Sequence, residues 1–491
     1  MVTDRMHTHT QHGLDLLEAR LKQDLSWLEL PAKPWMIKKS FQGQPVIEVA
    51  IIGAGMAGLA AGTALSLLGL HPVLFDRAPE GHEGPWVTTA RMETLRSPKQ
   101  LTGPALGLPA LTFRAWFEAQ FGAQAWTDLD KIPRTQWMEY LRWYRKVTKL
   151  DIRNEHQVLE VCPRADQLVE LLVQHPQGIE KILARRVVIA SGRDGLGGPS
   201  LPHFANKVPP PLRAHSSDSL DYHTLKGKRV GVIGAGASAM DSAATALECG
   251  AQSVDMLVRR PDLPRINKGK GAGNPGLTYG HVDLPDEWKW RIRHYIQSQQ
   301  VPPPRGSTLR VSKHGNARFN LGCPIDDITV NPAGSLTIHT PKGLFELDFL
   351  IFATGFKIDW LARPEYAVIA KHLRTWGDRY QYEAGLEDRE LQDSPDLGAS
   401  FDLKEKNPGQ CPGLERIHVF CYPAALSHGT VSGDIPAISD GAKRLAQGIV
   451  SLFYKEDIAE HFENIKNFAE PEIMGDEWQI APPPQTLKET N

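Results

Sequence analysis

Leu14, Leu16, Leu17, Leu21, Leu25 and Leu28 recur at helical spacing and stop at Pro31 and Pro34, which predicts an amphipathic helix ahead of the first strand. Its stripe has ordinary core spacing, so it reads as a packing or dimer element before a lid or membrane-surface helix. From about residue 47 to 80 the pattern is apolar strand, glycine turn, helix, strand, and the same order returns from about 228 to 260. Between them lies a segment rich in Trp, Arg and Pro (about 85 to 148). Leu159, Val161, Leu168, Val169, Leu171 and Leu172 then predict antiparallel strands, ending in Val187-Val188-Ile189-Ala190-Ser191-Gly192. A Pro- and Gly-rich insertion from Pro261 to about Asp326 is too long for a plain connector, and reads as a functional loop or a small subdomain. Leu350-Ile351-Phe352-Ala353-Thr354-Gly355-Phe356 is another short buried strand ending in glycine. A last helix is expected from near Asp434 through Leu452, and the Pro-rich tail after about Pro471 is expected to wrap the surface.

In Val49-Ala50-Ile51-Ile52-Gly53-Ala54-Gly55-Met56-Ala57-Gly58 the strand feeds a G-x-G-x-x-G turn. Gly53 permits the tight turn, Gly55 lets backbone approach a pyrophosphate, and Gly58 lets the helix pack on the strand. The phosphates then meet free N–H groups of the helix start, including those of Met56 and Ala57, and its positive dipole end. The next strand, Pro72-Val73-Leu74-Phe75-Asp76, ends in an acid placed to accept hydrogen bonds from ribose hydroxyls.

The second unit carries Gly234-Ala235-Gly236-Ala237-Ser238-Ala239, with Ala239 at the third glycine position. Its following strand ends in Arg259-Arg260 where an NAD site places an acid. Two guanidinium groups suit a 2'-phosphate, which selects NADPH over NADH; the alternative is a solvated surface cluster. Two dinucleotide sites in one chain make FAD the expected occupant of the first. The fold class is therefore α/β, with two Rossmann-like dinucleotide-binding domains (FAD and NADPH) of the three-layer ββα type and an N-terminal helical extension. The expected boundaries are 1–46 for the extension, 47–222 for the first part of the FAD domain and 223–347 for the NADPH domain, with its insertion at about 261–326. The second part of the FAD domain is expected at 348–470 and a tail at 471–491.

Composition narrows the function little. The 491 residues are 41% hydrophobic and 23% charged, which predicts two or three domains with substantial cores. A formal charge of -2 offers no basic face for nucleic acid. The start lacks a signal-peptide pattern and no apolar stretch is long enough to span a bilayer, so a cytoplasmic enzyme without a membrane span is expected. Five cysteines (Cys162, Cys249, Cys323, Cys411 and Cys421) show no C-x-x-C pair or zinc spacing, and read as reduced structural thiols with no metal site.

The two glycine turns, Ala214-His215-Ser216-Ser217 and Phe352-Ala353-Thr354-Gly355-Phe356 together resemble the class B flavoprotein monooxygenases over roughly residues 47 to 455. That group comprises flavin-containing monooxygenases, Baeyer-Villiger monooxygenases and amine N-hydroxylases. Its F-x-G-x-x-x-H fingerprint is not kept, since Phe204 precedes His215 by too many residues and Pro209-Pro210-Pro211 intervenes. Leu111 to Phe117, Ile132 to Leu141 and His428-Gly429 look most like the N-hydroxylases. The resemblance implies that NADPH reduces FAD, that O2 adds to the flavin as a C4a-(hydro)peroxide, and that one oxygen atom passes to a small organic substrate. N-hydroxylation of an amine or amino acid comes first, with Baeyer-Villiger or sulfur oxidation as the alternative. Cofactor chemistry of this kind needs no catalytic triad. No G-x-S-x-G elbow supports a hydrolase, and no cysteine pair supports a disulfide reductase. A flavin-bearing redox or sensor protein that inserts no oxygen is the reading from another class.

By the same resemblance the chain passes the flavin at Trp86, Arg91 and Arg96. Lys99 sits where a basic residue meets a substrate carboxylate, with Arg91 and Arg96 as further substrate candidates. Arg77, Trp86, Arg96, Val158 and Asp434 join Gly53, Gly55, Met56, Ala57, Gly58 and Asp76 as candidate FAD contacts. Thr354 and Gly355 join Gly234, Gly236, Ala237, Ser238, Ala239, Arg259 and Arg260 for NADPH. His215 is a nucleotide contact or a hinge residue, and Asp434 is an N-cap ahead of Pro436. Within the insertion, Asn267 to Asn274 is a basic candidate lid, and Trp288, Trp290, Phe319 and Asn320 are candidate pocket walls. The partners implied are a small substrate and O2, with a homo-oligomer possible.

Overall fold

The computed structural model describes residues 2–193 and 195–484, with side chains described from residue 12 onward. The N-terminal stripe forms a helix, Val2–Trp27, that docks on the helix Phe113–Asp128. The two backbones meet so closely at Gly13 that a Cβ there would lie 1.8 Å from the Ala119 carbonyl oxygen. Glu18 accepts from Trp143 Nε1 and Lys146 Nζ, and Leu21 is buried. The leucine spacing thus becomes a packing face, as expected.

The first sheet has seven strands. Asp151–Arg153, Pro72–Phe75, Ile47–Ile52, Gly178–Ile189, Val169–His175 and Gln157–Pro163 follow in spatial order, with Ile417–Val419 alongside Gly178–Ile189. Gly178–Ile189 has two parts: its early residues pair antiparallel with Val169–His175, and its late residues run parallel to Ile47–Ile52 and Ile417–Val419. The expected antiparallel strands are therefore present, joined to a parallel sheet by one long strand. Helix Met56–Leu67 and the later helix Ile438–Glu456 pack against each other, and the core below them takes in Val49, Ile51, Leu59, Leu74, Val188, Leu445 and Ile449.

The second sheet is wholly parallel, in the order Arg213–His215, Phe349–Phe352, Arg229–Ile233, Ser253–Val258, Ala317–Leu321. Its strands are near-continuous apolar runs because both faces are covered. Helix Ala237–Glu248 covers one face, and a three-stranded antiparallel sheet, Asp327–Val330, Leu336–Thr340 and Gly343–Leu347, lies beside the other. Three expected boundaries move. Arg213–His215 and Phe349–Phe352 belong to this second sheet, not to the first unit, and Ala317–Leu321 is its edge strand, so the insertion ends before residue 317. Five residues of mixed polarity, Ala317-Arg318-Phe319-Asn320-Leu321, hide this strand from pattern reading, because an edge strand buries only one side.

What remains of the insertion is mostly helical. Helix Asp286–Gln299 docks on the segment before residue 396: Trp290 is fully buried, stacks on Tyr382 at 4.9 Å and donates from Nε1 to the Leu386 carbonyl. Arg379 grips Asp286 with two hydrogen bonds of 2.8 and 2.7 Å. The expected last helix also differs. Asp434 precedes a short 3-10 turn, Ile435–Ala437, makes no side-chain capping bond, and the α-helix proper is Ile438–Glu456, followed by another, Ile458–Asn467. Pro436 fixes the tight first turn in place of the capping bond. From residue 468 to 484 the tail is exposed and without regular structure; the rest of the expected tail, 485–491, lies outside the described residues. Among the described residues no helix is long and apolar enough to cross a membrane.

The first sheet's neighbour strand carries a fully buried histidine. His418 donates from Nδ1 to the Ser400 carbonyl at 2.7 Å, which leaves Nε2 to accept from Arg186 at 3.2 Å. Burial, and next the Arg186 charge, hold its pKa down to about 3; burial likewise lowers His428 to about 3 and His281 to about 4. The unfolded chain takes up these protons near pH 6.5, so stability is full above that value and is lost as pH falls toward 4. Each such histidine is expected to remove up to about 1.4 kcal/mol per pH unit in that window. His418→Asn keeps the Nδ1-type donor without the titration. Its unfolding midpoint in urea is expected to change less between pH 7 and pH 5 than that of the wild type, and equal slopes would contradict this.

Candidate active site

The first glycine turn is shaped by backbone crowding. Gly53 sits at φ +101°, and a Cβ on Gly58 would lie 1.9 Å from the Gly53 carbonyl oxygen. Gly55, by contrast, has nothing nearer to its would-be Cβ than Gly84 Cα at 3.8 Å. Gly53 and Gly58 are thus demanded by packing, while Gly55 leaves space in front of the helix start. That helix has no capping side chain and no acid in its first turn, so the N–H groups of Met56, Ala57 and Gly58 and the positive dipole end face that space. Asp76 closes the turn: Oδ2 accepts from Ala54 N and Oδ1 from Ala78 N, both at 2.8 Å. Burial pushes its carboxyl pKa up, and the two backbone bonds oppose the rise. Each oxygen keeps a further acceptor site for a ligand hydroxyl. An open cleft of about 240 Å³ begins here, lined by Ala54, Gly55, Glu83, Arg142 and Arg145.

Arg77 is exposed beside Asp76. Trp86 is half-buried, edge-on to Trp137 at 6.3 Å. Val158 is buried in the first core, beside a slip in strand register at Val158 and Glu160.

The second turn repeats the pattern. Gly234 sits at φ +131° with its would-be Cβ 2.4 Å from the Ala353 carbonyl oxygen, whereas Gly236 has nothing within 4 Å. Helix Ala237–Glu248 again starts without a capping side chain, and Ala239 is fully buried against the sheet. Arg259 is exposed at the end of the next strand, and the Arg260 side chain donates to the Ser298 carbonyl at 3.4 Å. Thr354 Oγ1 donates to the Ser200 carbonyl at 2.5 Å, and the Gly355 carbonyl accepts from Ser200 N and from His215 Nε2. His215 thus ties the crossover between the two sheets.

A second cleft of about 270 Å³ is lined by Arg193, Phe356, Glu390 and Tyr422 among others. Asp434 stands beside it. Its side chain is exposed, yet desolvation pushes its pKa up, with the charges of Arg293, Arg193 and Arg96 opposing. Arg193, one of the charges acting on Asp434, lines this cleft, so the carboxyl stands near the rim of the recess. Arg96 is pushed down by desolvation and then by Arg193, and anchors one nitrogen on the Pro302 carbonyl at 2.6 Å. Arg193 lies over the Tyr422 ring at 4.6 Å.

The structure thus brings Arg96 and Asp434 together and assigns other work to the remaining substrate candidates. Lys99 Nζ donates to the carbonyls of Trp126 and Thr127 at 2.7 and 3.1 Å and lies over the Trp126 ring, so it caps the end of helix Phe113–Asp128. Arg91 donates to the Thr88 carbonyl at 2.6 Å and lies over Tyr222 at 5.3 Å, bridging the two units. Trp290 is core, Trp288 is exposed at 51%, and Phe319 and Asn320 lie in the edge strand, where Asn320 donates to Asp255; none forms the expected pocket wall. His428 is buried, stacked on Phe401 at 3.6 Å and bonded to the Gly398 carbonyl. Arg193, Arg293, Glu390 and Tyr422 were not anticipated. Arg193 had one signal, its position directly after the strand ending in Gly192; the other three had none.

A family described as pyridine nucleotide-disulphide oxidoreductase matches residues 50–269, which spans both glycine turns. Over 465 residues the chain is 36% identical to the FAD-dependent urate hydroxylase of Xanthomonas campestris pv. campestris, covering 94% of this chain and 98% of that protein. The chain belongs to this family of FAD-dependent hydroxylases. Its fold is shared with an ornithine N-hydroxylase of Kutzneria sp. 744 (TM-score 0.65, 16% identity, 83% of this chain and 100% of that one). It is shared equally with L-lysine 6-monooxygenase of Pseudomonas syringae (TM-score 0.63, 18% identity, 82% and 99%). The resemblance to flavoprotein monooxygenases expected from the motifs therefore holds for the family.

Lys99→Met is expected to lower stability by about 1–3 kcal/mol, the range for losing hydrogen bonds from a charged donor, with substrate KM unchanged. Urea unfolding and steady-state kinetics check this. A tenfold rise in KM at wild-type stability would return Lys99 to the substrate.

Proposed function

We propose that the chain is an NADPH-dependent FAD hydroxylase that transfers one oxygen atom from O2 to a small nitrogen-bearing ring, with urate as its first candidate. The observation that carries this reading is the pair of open, uncapped helix starts at Gly55 and Gly236, one on each parallel sheet, which is what two dinucleotides require. In this reading the two sheets are Rossmann-like units. FAD is held by Gly55, the N–H groups of Met56, Ala57 and Gly58, and Asp76, with Arg77, Trp86 and the Val158 backbone as further contacts. NADPH is held by Gly236, Ala237, Ser238, Arg259 and Arg260, with Thr354 and Gly355 at the crossover. Bound FAD supplies hydride acceptance and the activation of O2. The chain's own residues position the two nucleotides, exclude water and hold the substrate in the recess beside Asp434.

The near full-length likeness to a urate hydroxylase favours urate. N-hydroxylation of an amino acid, expected first from the likeness of Leu111 to Phe117, Ile132 to Leu141 and His428-Gly429 to the N-hydroxylases, had Lys99 as its substrate-carboxylate contact, and Lys99 is engaged in capping a helix. Amines, ketones and sulfides therefore enter as competitors in the assay.

Urate is expected to accelerate NADPH oxidation by the FAD-loaded protein with formation of a hydroxylated product; acceleration by L-ornithine or L-lysine and not by urate would replace this substrate with an amine. Gly55→Val is expected to fold, since its surroundings are open, and to lose FAD, read from the visible spectrum of the purified protein. Gly58→Val is expected not to fold, because its side chain meets main chain. Arg259→Ala with Arg260→Ala is expected to raise KM for NADPH by roughly tenfold or more, as loss of two charge-assisted phosphate contacts would, with little change for NADH. Equal effects on both coenzymes would remove the assignment.

A further inference from the structure

Helix Asp286–Gln299, the docked part of the insertion, turns Trp290 and Arg293 inward. Arg293 is only 8% exposed, yet among the described residues it makes no ion pair or hydrogen bond, and its Nε is wholly buried without a partner. Native proteins rarely leave a charged group so: a buried guanidinium without a counter-charge costs several kcal/mol. One turn on, Gln297 lies on the same helix face. Its Nε2 donates to Glu390 at 3.0 Å, which fixes the amide orientation, and its Oε1 is buried without a partner. One face of one helix therefore presents a charged donor and a neutral acceptor, both unanswered.

The surroundings say what answers them. Asp434 and Glu390 feel the charges of Arg293 and Arg193, while among the described residues Arg293 has no ion-pair partner and its Nε is unpartnered. Desolvation pushes both carboxyls toward their neutral forms. Among the described residues, Arg96, Arg193 and Arg293 all act on Asp434, and none of the three forms an ion pair with it. The candidate phosphate sites are elsewhere, at Gly55 and at Arg259 and Arg260.

We infer that Arg293 and Gln297 form the edge that recognises the substrate, an anionic ring presenting a negatively charged oxygen beside an N–H, as deprotonated oxopurines such as urate do. Arg293 donates to the anionic oxygen, Gln297 Oε1 accepts the adjacent N–H, and Glu390 keeps the glutamine from turning over. A substrate with this edge satisfies both orphaned groups at once; a simple cationic amine can donate to Gln297 Oε1 but offers nothing to Arg293. This assignment rests on the hydroxylase reading and deepens it.

The test uses the FAD-loaded full chain and titrates urate into it, following the flavin spectrum. Arg293→Gln and Gln297→Leu are expected to keep wild-type FAD content. The first is expected to weaken urate binding by roughly thirtyfold or more and the second by roughly tenfold, the scale for a charged and a neutral hydrogen bond. Arg293→Lys is expected to recover part of the loss. Urate methylated on all four ring nitrogens, which has neither the N–H nor the anion, is expected not to bind the wild type, a readout that needs no variant to fold. Unchanged urate affinity in both variants, equal binding of the methylated compound, or loss of FAD from Arg293→Gln overturns the assignment. A wild-type flavin that takes no electrons from NADPH instead overturns the hydroxylase reading itself, whichever way urate binds.

Discussion

Helix Met56–Leu67 approaches its strand so closely that one methyl group at Gly58 would lie 1.9 Å from the Gly53 carbonyl oxygen. No side-chain rearrangement can relieve a contact with main chain, so the helix has a single seat on the sheet. From that seat the rest of the site follows. The first-turn N–H groups point past Gly55 into open space, Asp76 is brought under the turn to accept from Ala54 and Ala78, and the later helix Ile438–Glu456 packs on the exposed side. The loop before that helix then delivers Asp434 to the recess. At the second turn the same crowding falls between Gly234 and the Ala353 carbonyl, directly before the Thr354–Gly355 crossover that joins the two sheets. Both glycine turns, the proposed nucleotide seats, are therefore set by backbone-to-backbone contacts, which no side-chain rearrangement can relieve.

The insertion is held differently. Asp396 is fully buried and is met by Arg374, Arg379 and Lys404, and Arg379 extends from it to Asp286 at the start of the insertion helix. Buried ion pairs add little net stability compared with apolar packing, but removing one partner is costly, so they fix register more than they strengthen. Trp290 supplies the apolar part of the joint. The outcome is that Gln297, on a segment that interrupts the second unit, reaches Glu390, which lines the cleft beside Arg193, and Arg293 on the same helix acts on both Glu390 and Asp434. In the proposed reading, the nucleotide scaffold of this chain gains its substrate-facing wall from the insertion.

How much of this was legible in the sequence depends on whether a residue's task is local. Gly53, Gly55, Gly58 and Asp76 act within one strand-turn-helix unit of fixed spacing, so their arrangement could be read off directly. The leucine stripe before Trp27 and the antiparallel strands near Val161 and Leu171 were legible for the same reason, since periodicity reports which face is buried. The edges of the second unit were not: Arg213–His215 and Ala317–Leu321 are short, mixed in polarity, and become strands only by pairing with Phe349–Phe352 and Ser253–Val258. Asp434 reads as a helix cap and makes no capping bond, because Pro436 opens the segment as a 3-10 turn instead.

The cations show the same divide most sharply. Lys99, Arg91 and Arg96 stand close together in sequence and look alike as candidates for an anionic substrate, yet the first caps a helix, the second bridges two units and only the third borders the recess. What separates them is whether carbonyls nearby already satisfy the charge, and that is a property of the folded surroundings. Arg293 has the converse history: nothing in Trp288-Lys289-Trp290-Arg291-Ile292-Arg293 marks one cation out, and three of the four basic or aromatic neighbours point elsewhere. Lys289 is quieted by the Val282 carbonyl and Arg291 by Glu287 and Glu383. Arg293 alone in that run is buried with its Nε unanswered, and a charge kept in that condition is best explained by a partner that arrives with the ligand.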